Sequence, residues 1–210
     1  MHAQQDFLKS QYLFNLCSIN PAYAGSRDVM EVSLSHRSQW VGFEGAPQTQ
    51  VLSIHAPLTK KKIGFGLQLF NDKIGPRQVT GINTAYAYHI RLGKGKLGFG
   101  LRASALNYMY RWDELNYQNN QDVVIGQGNQ SALSINFDYG MYYKDRLQFV
   151  GFELAHLAQN MVSSTTIEGK LIPHLSAFYG RAFEIKEKTA LKPVLDAALK
   201  AIAAKVYESG

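Results

Sequence analysis

Residues 133–143 read Leu-Ser-Ile-Asn-Phe-Asp-Tyr-Gly-Met-Tyr-Tyr, in which apolar residues alternate with polar or small ones as far as Met141. Successive side chains of a β-strand point to opposite faces of a sheet, whereas a helix brings similar residues back every three or four positions. This stretch therefore predicts a β-strand with one apolar face and one polar face.

The same period of two recurs on both sides of this segment, and turn-forming residues separate the repeats. That arrangement indicates consecutive antiparallel strands rather than alternating strands and helices. A tight turn at residues 93–96 predicts a hairpin, and residues 71–76 and 111–129 predict loops. We predict eight strands, at about residues 30–41, 49–56, 63–71, 80–92, 97–107, 133–143, 147–156 and 172–185.

These strands suit a membrane better than a soluble sandwich. Most run for roughly 9 to 13 residues, the length that a tilted strand needs to cross a bilayer. Their polar faces carry mainly Gly, Ser, Ala, Asn and Gln, as the lumen of a barrel does. Aromatic residues near strand ends suit an interfacial girdle, and they include Trp40, Tyr86, Tyr88, Tyr108, Tyr110, Trp112, Tyr142 and Tyr143. The predicted fold class is all-β, an antiparallel transmembrane β-barrel of the outer-membrane type with about eight or more strands.

The barrel is predicted to occupy residues 30–193 of the 210-residue chain. Residues 1–29 form an N-terminal segment whose first residues resemble the edge of a signal-peptide cleavage site, so we expect an exported protein with a trimmed signal. Residues 194–210 differ from the rest, because their apolar residues have a helical composition and spacing. This tail is predicted to be helical.

Composition and motifs argue against several functions. The net charge of +6 comes from scattered Lys and Arg, so nucleic-acid binding is not expected. This charge fits attraction to anionic outer-membrane lipid equally well, and it is also compatible with a soluble basic surface. The six His have no neighbours at metal-ligand spacing, and the Gly64–Gly66 and Gly98–Gly100 repeats fall inside strands, so we predict no metal and no cofactor. Ser53 and His55 share a strand face, but the sequence supplies no acidic partner for a hydrolase, and no enzymatic activity is predicted.

Three motifs near the N-terminus resemble the PorP/SprF family of type IX secretion. The first is the Asn-Pro-Ala-Tyr-Ala-Gly run of residues 20–25, the second spans residues 37–50, and the third spans residues 71–76. The motif positions are Asn20, Pro21, Tyr23, Gly25, Arg37, Gln39, Trp40, Gly42, Phe43, Gly45, Pro47, Asn71, Asp72, Gly75 and Pro76. We expect Asn20, Pro21 and Gly25 to build turns and residues 40–47 to pin a strand reversal, an architectural role rather than direct cargo contact.

The resemblance implies an outer-membrane component of Bacteroidota that helps to secrete or anchor surface proteins such as adhesins, in some members serving gliding motility. The implied partners are outer-membrane lipid, the C-terminal signal domain of a secreted surface protein, and periplasmic components of the secretion machine. The alternative function is an outer-membrane channel for small solutes. The tail departs from the family, whose longer members continue with further strands, so the chain either closes its barrel differently or pairs with something that completes the sheet.

Overall fold

The computed structural model describes residues 15–58, 62–111, 129–158, 161–163, 168–170, 173–181, 183–186, 189–191 and 194–199. Thirteen strands follow two short 3-10 helices, η1 (Leu16–Ser18) and η2 (Pro21–Tyr23). The strands are β1 (Glu31–Ser38), β2 (Gln48–Pro57), β3 (Ile63–Ile74), β4 (Arg77–Leu92), β5 (Gly95–Tyr110), β6 (Gln130–Lys144), β7 (Gln148–Ala155), β8 (Met161–Ser163), β9 (Glu168–Lys170), β10 (His174–Arg181), β11 (Phe183–Lys186), β12 (Thr189–Leu191) and β13 (Val194–Leu199).

Nine of these strands form one antiparallel sheet that curls into half a barrel, in the order β1-β2-β3-β4-β5-β6-β7-β10-β13. The short pairs β8-β9 and β11-β12 are separate hairpins. Among the described strands, β1 pairs only with β2 and β13 only with β10, so the sheet forms half of a barrel wall. The prediction of an all-β antiparallel fold is confirmed. No helix in the described part of the chain is long and apolar enough to span a membrane.

The alternation seen in the sequence separates the two faces of this sheet. On the inner, concave face the side chains are small or polar and buried, as Ser134, Asn136 and Asp138 of β6 show. On the outer face their strand neighbours Leu133, Ile135 and Phe137 are exposed at 68%, 50% and 50%. Exposing an apolar surface of this extent to water is unfavourable. An apolar outer face repeated along most of the strands therefore indicates a surface covered by a lipid bilayer.

The predicted loop at residues 71–76 is wrong for its first four residues. Strand β3 continues to Ile74, and only Gly75 and Pro76 turn the chain into β4. Asn71 and Asp72 pair with β2 on one side and β4 on the other. Two ladders of backbone hydrogen bonds outweigh the turn preference of these residues, which is a local and weaker effect.

The predicted helix at the C-terminus is also wrong where the structure describes it. Val194–Leu199 form strand β13 and pair with the free edge of β10. An unpaired strand edge offers a row of backbone donors and acceptors, and pairing with it overrides a helix preference of a few tenths of a kcal/mol per residue. Residues 200–210 lie outside the described residues, as do residues 112–128 of the predicted long loop.

Three of the four connections at one end of the sheet are longer than three of the four at the other; the exceptions are the turn 75–76 and the segment 182–193. Residues 39–47, 75–76, 111–129 and 156–173 join the strands at one end, which we call the long-loop end. Residues 58–62, 93–94, 145–147 and 182–193 join them at the other, the short-turn end. The N-terminal residues enter β1 from the short-turn end.

Candidate functional site

The first sequence motif lies inside the half-barrel. Residues 15–25, which we call the plug, pack against the inner face of the sheet, and Asn20, Ala22 and Ala24 are all 0% exposed. Asn20 caps η2 and Gly25 leaves it with a φ of +67°, so the expected turns are present. The core of the molecule is therefore the contact between the plug and the sheet.

Glycines on three strands of the sheet, β3, β5 and β6, make room for the plug. A Cβ added at Gly64 would overlap the Ala24 carbonyl oxygen, one at Gly100 would overlap the Ala22 nitrogen, and one at Gly140 would overlap the Asn20 amide oxygen. Glycine is needed where two backbones approach this closely. The plug therefore packs directly against these inner-face glycines, Gly64, Gly100 and Gly140, which we call the glycine bed.

Asn20 joins the plug to two strands. Its Nδ2 donates to the carbonyl oxygens of Met141 at 2.9 Å and Phe152 at 3.0 Å, on β6 and β7. Its Oδ1 accepts from the Ala22 N–H at 2.9 Å. One fully buried amide therefore bonds to three backbone groups, on the plug, β6 and β7.

Replacing Asn20 with alanine is expected to destabilise the protein by about 1–3 kcal/mol, because buried donors and acceptors lose their partner. Asn20→Asp is expected to cost more, since it brings a carboxylate against two carbonyl oxygens. The measurement is the thermal midpoint in detergent, followed by the heat-dependent electrophoretic mobility of a folded barrel. The control is Asn15→Ala in the half-buried start of the plug, where the amide donates to Ser33 Oγ at 3.2 Å. Equal midpoints for Asn20→Ala and Asn15→Ala would contradict this role.

A buried ionic network holds the plug from the side of β5. The guanidinium of Arg102 donates to Asp138 Oδ2 at 2.6 Å and to the Glu153 carboxylate, with all three side chains buried. It also donates to the backbone oxygens of Ser18 at 2.8 Å and Ile19 at 3.4 Å. Arg102 thus joins β6, β7 and the plug through one planar group, which a lysine could not do.

The remaining plug contacts are shared around the inner face. His89 Nε2 lies 3.1 Å from the Ala22 oxygen, and Gln68 donates to Ser18 Oγ. The Tyr23 ring meets the edges of Tyr142 and His55, with centroids 5.3 and 5.4 Å apart. Polar and aromatic contacts together fix the position of the plug along the strands.

The other two motifs meet at the long-loop end. Residues 39–47 and 71–76 form what we call the loop rim. Pro47 O accepts from the Gln39 N–H at 3.0 Å and closes the first loop, and Gly45 O accepts from the Gly75 N–H at 2.9 Å and joins the two. Gly42 and Gly45 have φ values of +101° and +75°, which only glycine adopts readily. Residues 39–47 reverse the chain between β1 and β2.

Below the loops, side chains of the rim hold the strands together. Thr49 Oγ1 donates to Asp72 Oδ1 at 2.6 Å, and Gln78 Nε2 donates to Asn71 Oδ1 at 2.7 Å. Arg111 donates to Gln78 Oε1 at 2.9 Å, and its N–H donates to the Pro76 oxygen at 2.9 Å. These hydrogen bonds link the rim to the ends of β2, β4 and β5.

Three large apolar side chains of the rim do not pack against the rest of the protein. Trp40, Val41 and Phe43 are 74%, 85% and 78% exposed. Trp40 also has a φ of +51°, an uncommon conformation for a bulky residue. The backbone of this loop is therefore architectural, whereas its apolar side chains are presented at the surface.

A family model described as type IX secretion system membrane protein PorP/SprF matches residues 1–201. The chain belongs to the PorP/SprF family. No curated protein and no solved structure matches it. This PorP/SprF protein is accordingly a membrane component of type IX secretion, which agrees with an apolar outer face.

The structure divides the motif residues of this PorP/SprF protein into two places. Asn20, Pro21, Tyr23 and Gly25 belong to the plug. Asn71, Asp72, Gly75 and Pro76 lie at the rim, as do Gln39, Trp40, Gly42, Phe43, Gly45 and Pro47, and Arg37 lies just before it in β1. The sequence did not reveal that one motif is enclosed by the strands that follow it.

Sequence reasoning also missed the network around Arg102. Its signal in the sequence was three charged residues, Arg102, Asp138 and Glu153, on the inner faces of β5, β6 and β7 and away from the strand ends. Ser53 and His55 do not form a catalytic pair among the described contacts. Ser53 Oγ contacts Asn15 Oδ1 at 3.5 Å, and His55 Nε2 lies 3.6 Å from Glu31 Oε2.

Proposed function

We propose that this protein is a non-enzymatic outer-membrane component of type IX secretion that holds a secreted surface protein, such as an adhesin, at its loop rim. The exposed Trp40, Val41 and Phe43 on a backbone fixed by hydrogen bonds carry this proposal. A rigid loop that presents aromatic side chains binds a partner at little cost in conformational entropy. This revises the architectural role expected for these side chains from sequence.

The sheet supplies the anchor in this proposal. Its outer face meets the lipid of the outer membrane, and the long-loop end faces the cell exterior, because outer-membrane barrels carry their long loops outside and short turns in the periplasm. Cargo then docks from outside through its C-terminal signal domain. Periplasmic components of the machine meet the short-turn end.

The filling of the half-barrel supports a scaffold rather than a channel. The plug crosses the inner face, and the space on its long-loop side is a cavity of about 80 Å³, bordered by Arg102, Asn136 and His156. Backbone that packs against the inner-face glycines occupies the lumen here. Because the plug lies across the inner face between the two ends of the sheet, it obstructs a path for solutes along this part of the lumen.

The double variant Trp40→Ser/Phe43→Ser is expected to release surface protein from the cells into the medium. Aromatic anchors at an interface are worth about 2 kcal/mol or more each, so losing two should weaken retention at least tenfold. The measurement is the cell-bound fraction of surface protein, identified by mass spectrometry after pull-down with the tagged chain from outer membranes solubilised in detergent.

The matched control removes two exposed apolar residues at the other end, Leu58→Ser/Leu147→Ser, which are 50% and 41% exposed in the parent. Both doubles should keep the heat-dependent mobility of the folded barrel. If the rim double retains as much surface protein as the control, the rim is not the docking surface. Planar-bilayer conductance equal to that of an open porin would instead favour the channel.

A further inference from the structure

A large cavity opens on the short-turn side of the plug. Its volume is about 680 Å³, within the range of ligand sites in proteins. The segment that leads from the plug to β1, the β4-β5 turn and the end of β6 enclose it. A second cavity of about 570 Å³ shares Asp28, His89, Arg91 and Lys96 with it. We call this region the basic mouth.

Positive charge dominates the basic mouth. The larger cavity is bordered by five cationic side chains and two carboxylates; the cations are Arg27, Arg91, Lys94, Lys96 and Lys144. The second cavity adds Lys62. Within such a concave surface, like charges reinforce one another and attract an anionic partner.

The two carboxylates offset two of the five positive charges, and a third cation, Arg27, is paired with Glu31 at 3.0 Å. Asp28 is bound to Lys96 at 2.9 Å. Asp145 accepts from the N–H groups of Leu147 at 2.7 Å and Gln148 at 2.8 Å. These two bonds, that of Leu147 foremost, lower the pKa of Asp145 below its usual value, so this carboxylate stays ionised within its own turn.

Arg91 and Lys94 are the two exposed cations closest to the β4-β5 turn. In the side chains that the structure describes, neither has an ion-pair partner. Both border the larger cavity, where a guanidinium suits carboxylates because Arg binds them through two parallel hydrogen bonds, and an ammonium group adds a second positive charge.

The position of the mouth favours peptide over lipid. His89 and Arg91 alternate along β4 with Tyr88, Ile90 and Leu92, whose side chains are exposed on the outer face that lipid covers. The second cavity lies where the two sets meet, because Tyr88 and Ile90 also border it. The larger cavity is bordered by His89 and Arg91 and by none of these three outer-face residues, so its cations line the inner side and the open end. We infer that the basic mouth binds an acidic peptide segment of a partner protein at the short-turn end.

This inference rests on the proposed function in one respect: the proposed orientation of the sheet places the partner on the periplasmic side of the membrane. Binding of the acidic segment itself depends on charges at the opposite end of the sheet from the loop rim. The two proposals can therefore fail separately, since retention of surface protein is measured in cells and peptide binding on the purified chain.

The test uses the full chain in a zwitterionic detergent and a fluorescent hexaglutamate peptide, with hexaglutamine as the uncharged comparison. We expect saturable binding of hexaglutamate that weakens as salt is raised. Arg91→Gln/Lys94→Gln should bind at least about tenfold more weakly, because two charge-assisted hydrogen bonds are lost. The matched control, Lys73→Gln/Arg77→Gln, removes the same charge at the long-loop end and should bind like the parent.

Two results would overturn the inference. The first is equal loss of hexaglutamate binding in both double variants, which would mean attraction by net charge alone. The second is binding of phosphatidylglycerol nanodiscs that depends on Arg91 and Lys94, in a chain that does not bind hexaglutamate. That outcome would assign the mouth to lipid headgroups.

Discussion

Replacing Gly100 with valine is expected to drive the plug off the inner face and to make Cys17 reactive. A Cβ at this position would overlap the backbone of Pro21 and Ala22. Strand β5 cannot yield, because β4 and β6 pair with it on both sides at this point. Overpacking of this kind costs about 1–3 kcal/mol when neighbours can shift, and more when the obstacle is backbone.

Cys17 reports this change directly, since it is the single cysteine of the chain and is 7% exposed. Labelling with a maleimide of high molecular mass should rise from almost none in the parent to near completion in Gly100→Val, while the heat-dependent mobility of the barrel persists. Leu101→Val is the control, because its side chain points to the outer face of the same strand. If the folded Gly100→Val protein still protects Cys17, the glycine bed is not what admits the plug.

A second variant distinguishes release of the plug from a general failure of the protein to fold. Gly98→Ala brings a single Cβ to 2.8 Å from the Ala22 oxygen, a smaller intrusion than at Gly100. Cys17 labelling in this variant should be intermediate. Labelling that tracks the size of the intrusion indicates undocking of the plug rather than collapse of the sheet.

The substitution Arg102→Met is expected to lower stability by about 3–5 kcal/mol, which is the usual cost of leaving one side of a buried ion pair without its partner. Asp138 and Glu153 have side chains only 8% and 2% exposed, so water cannot replace the guanidinium. The plug also loses the donor to Ser18 and Ile19. The free energy of unfolding is measured from urea titrations in detergent, read by the heat-dependent mobility of the folded barrel.

The triple variant Arg102→Met/Asp138→Asn/Glu153→Gln tests the electrostatic cause. Removing all three charges should restore most of the lost stability, since no unpaired charge stays buried. Arg91→Met is the control for loss of one arginine from the same sheet, and because it is exposed it should change stability by less than about 0.5 kcal/mol. A triple variant as unstable as Arg102→Met would show that shape, and not charge, makes Arg102 necessary.

Eight of the nine strands of the main sheet, and the faces of those strands, could be predicted from the amino-acid sequence. Alternation such as that of residues 133–143 follows from the two-residue repeat of a strand, a local property that holds wherever the strand lies. Runs such as residues 93–96 marked turns for the same reason. The family followed from short motifs whose residues are close together in the chain.

Contacts between segments that are distant in the chain could not be predicted from local sequence, because they form only when the strands pair and the sheet curls. The local conformational preferences of the residues predicted a loop at Asn71 and a helix at Val194. Pairing with neighbouring strands overrode both preferences. The seat of Asn20 on β6 and β7 joins residues more than a hundred positions apart. The network of Arg102 and the charges of the basic mouth arise in the same way, because charges far apart in sequence share a site only after the sheet has curled. The two-residue repeat of a strand predicts the face to which each side chain points. It does not predict which distant residue that side chain contacts.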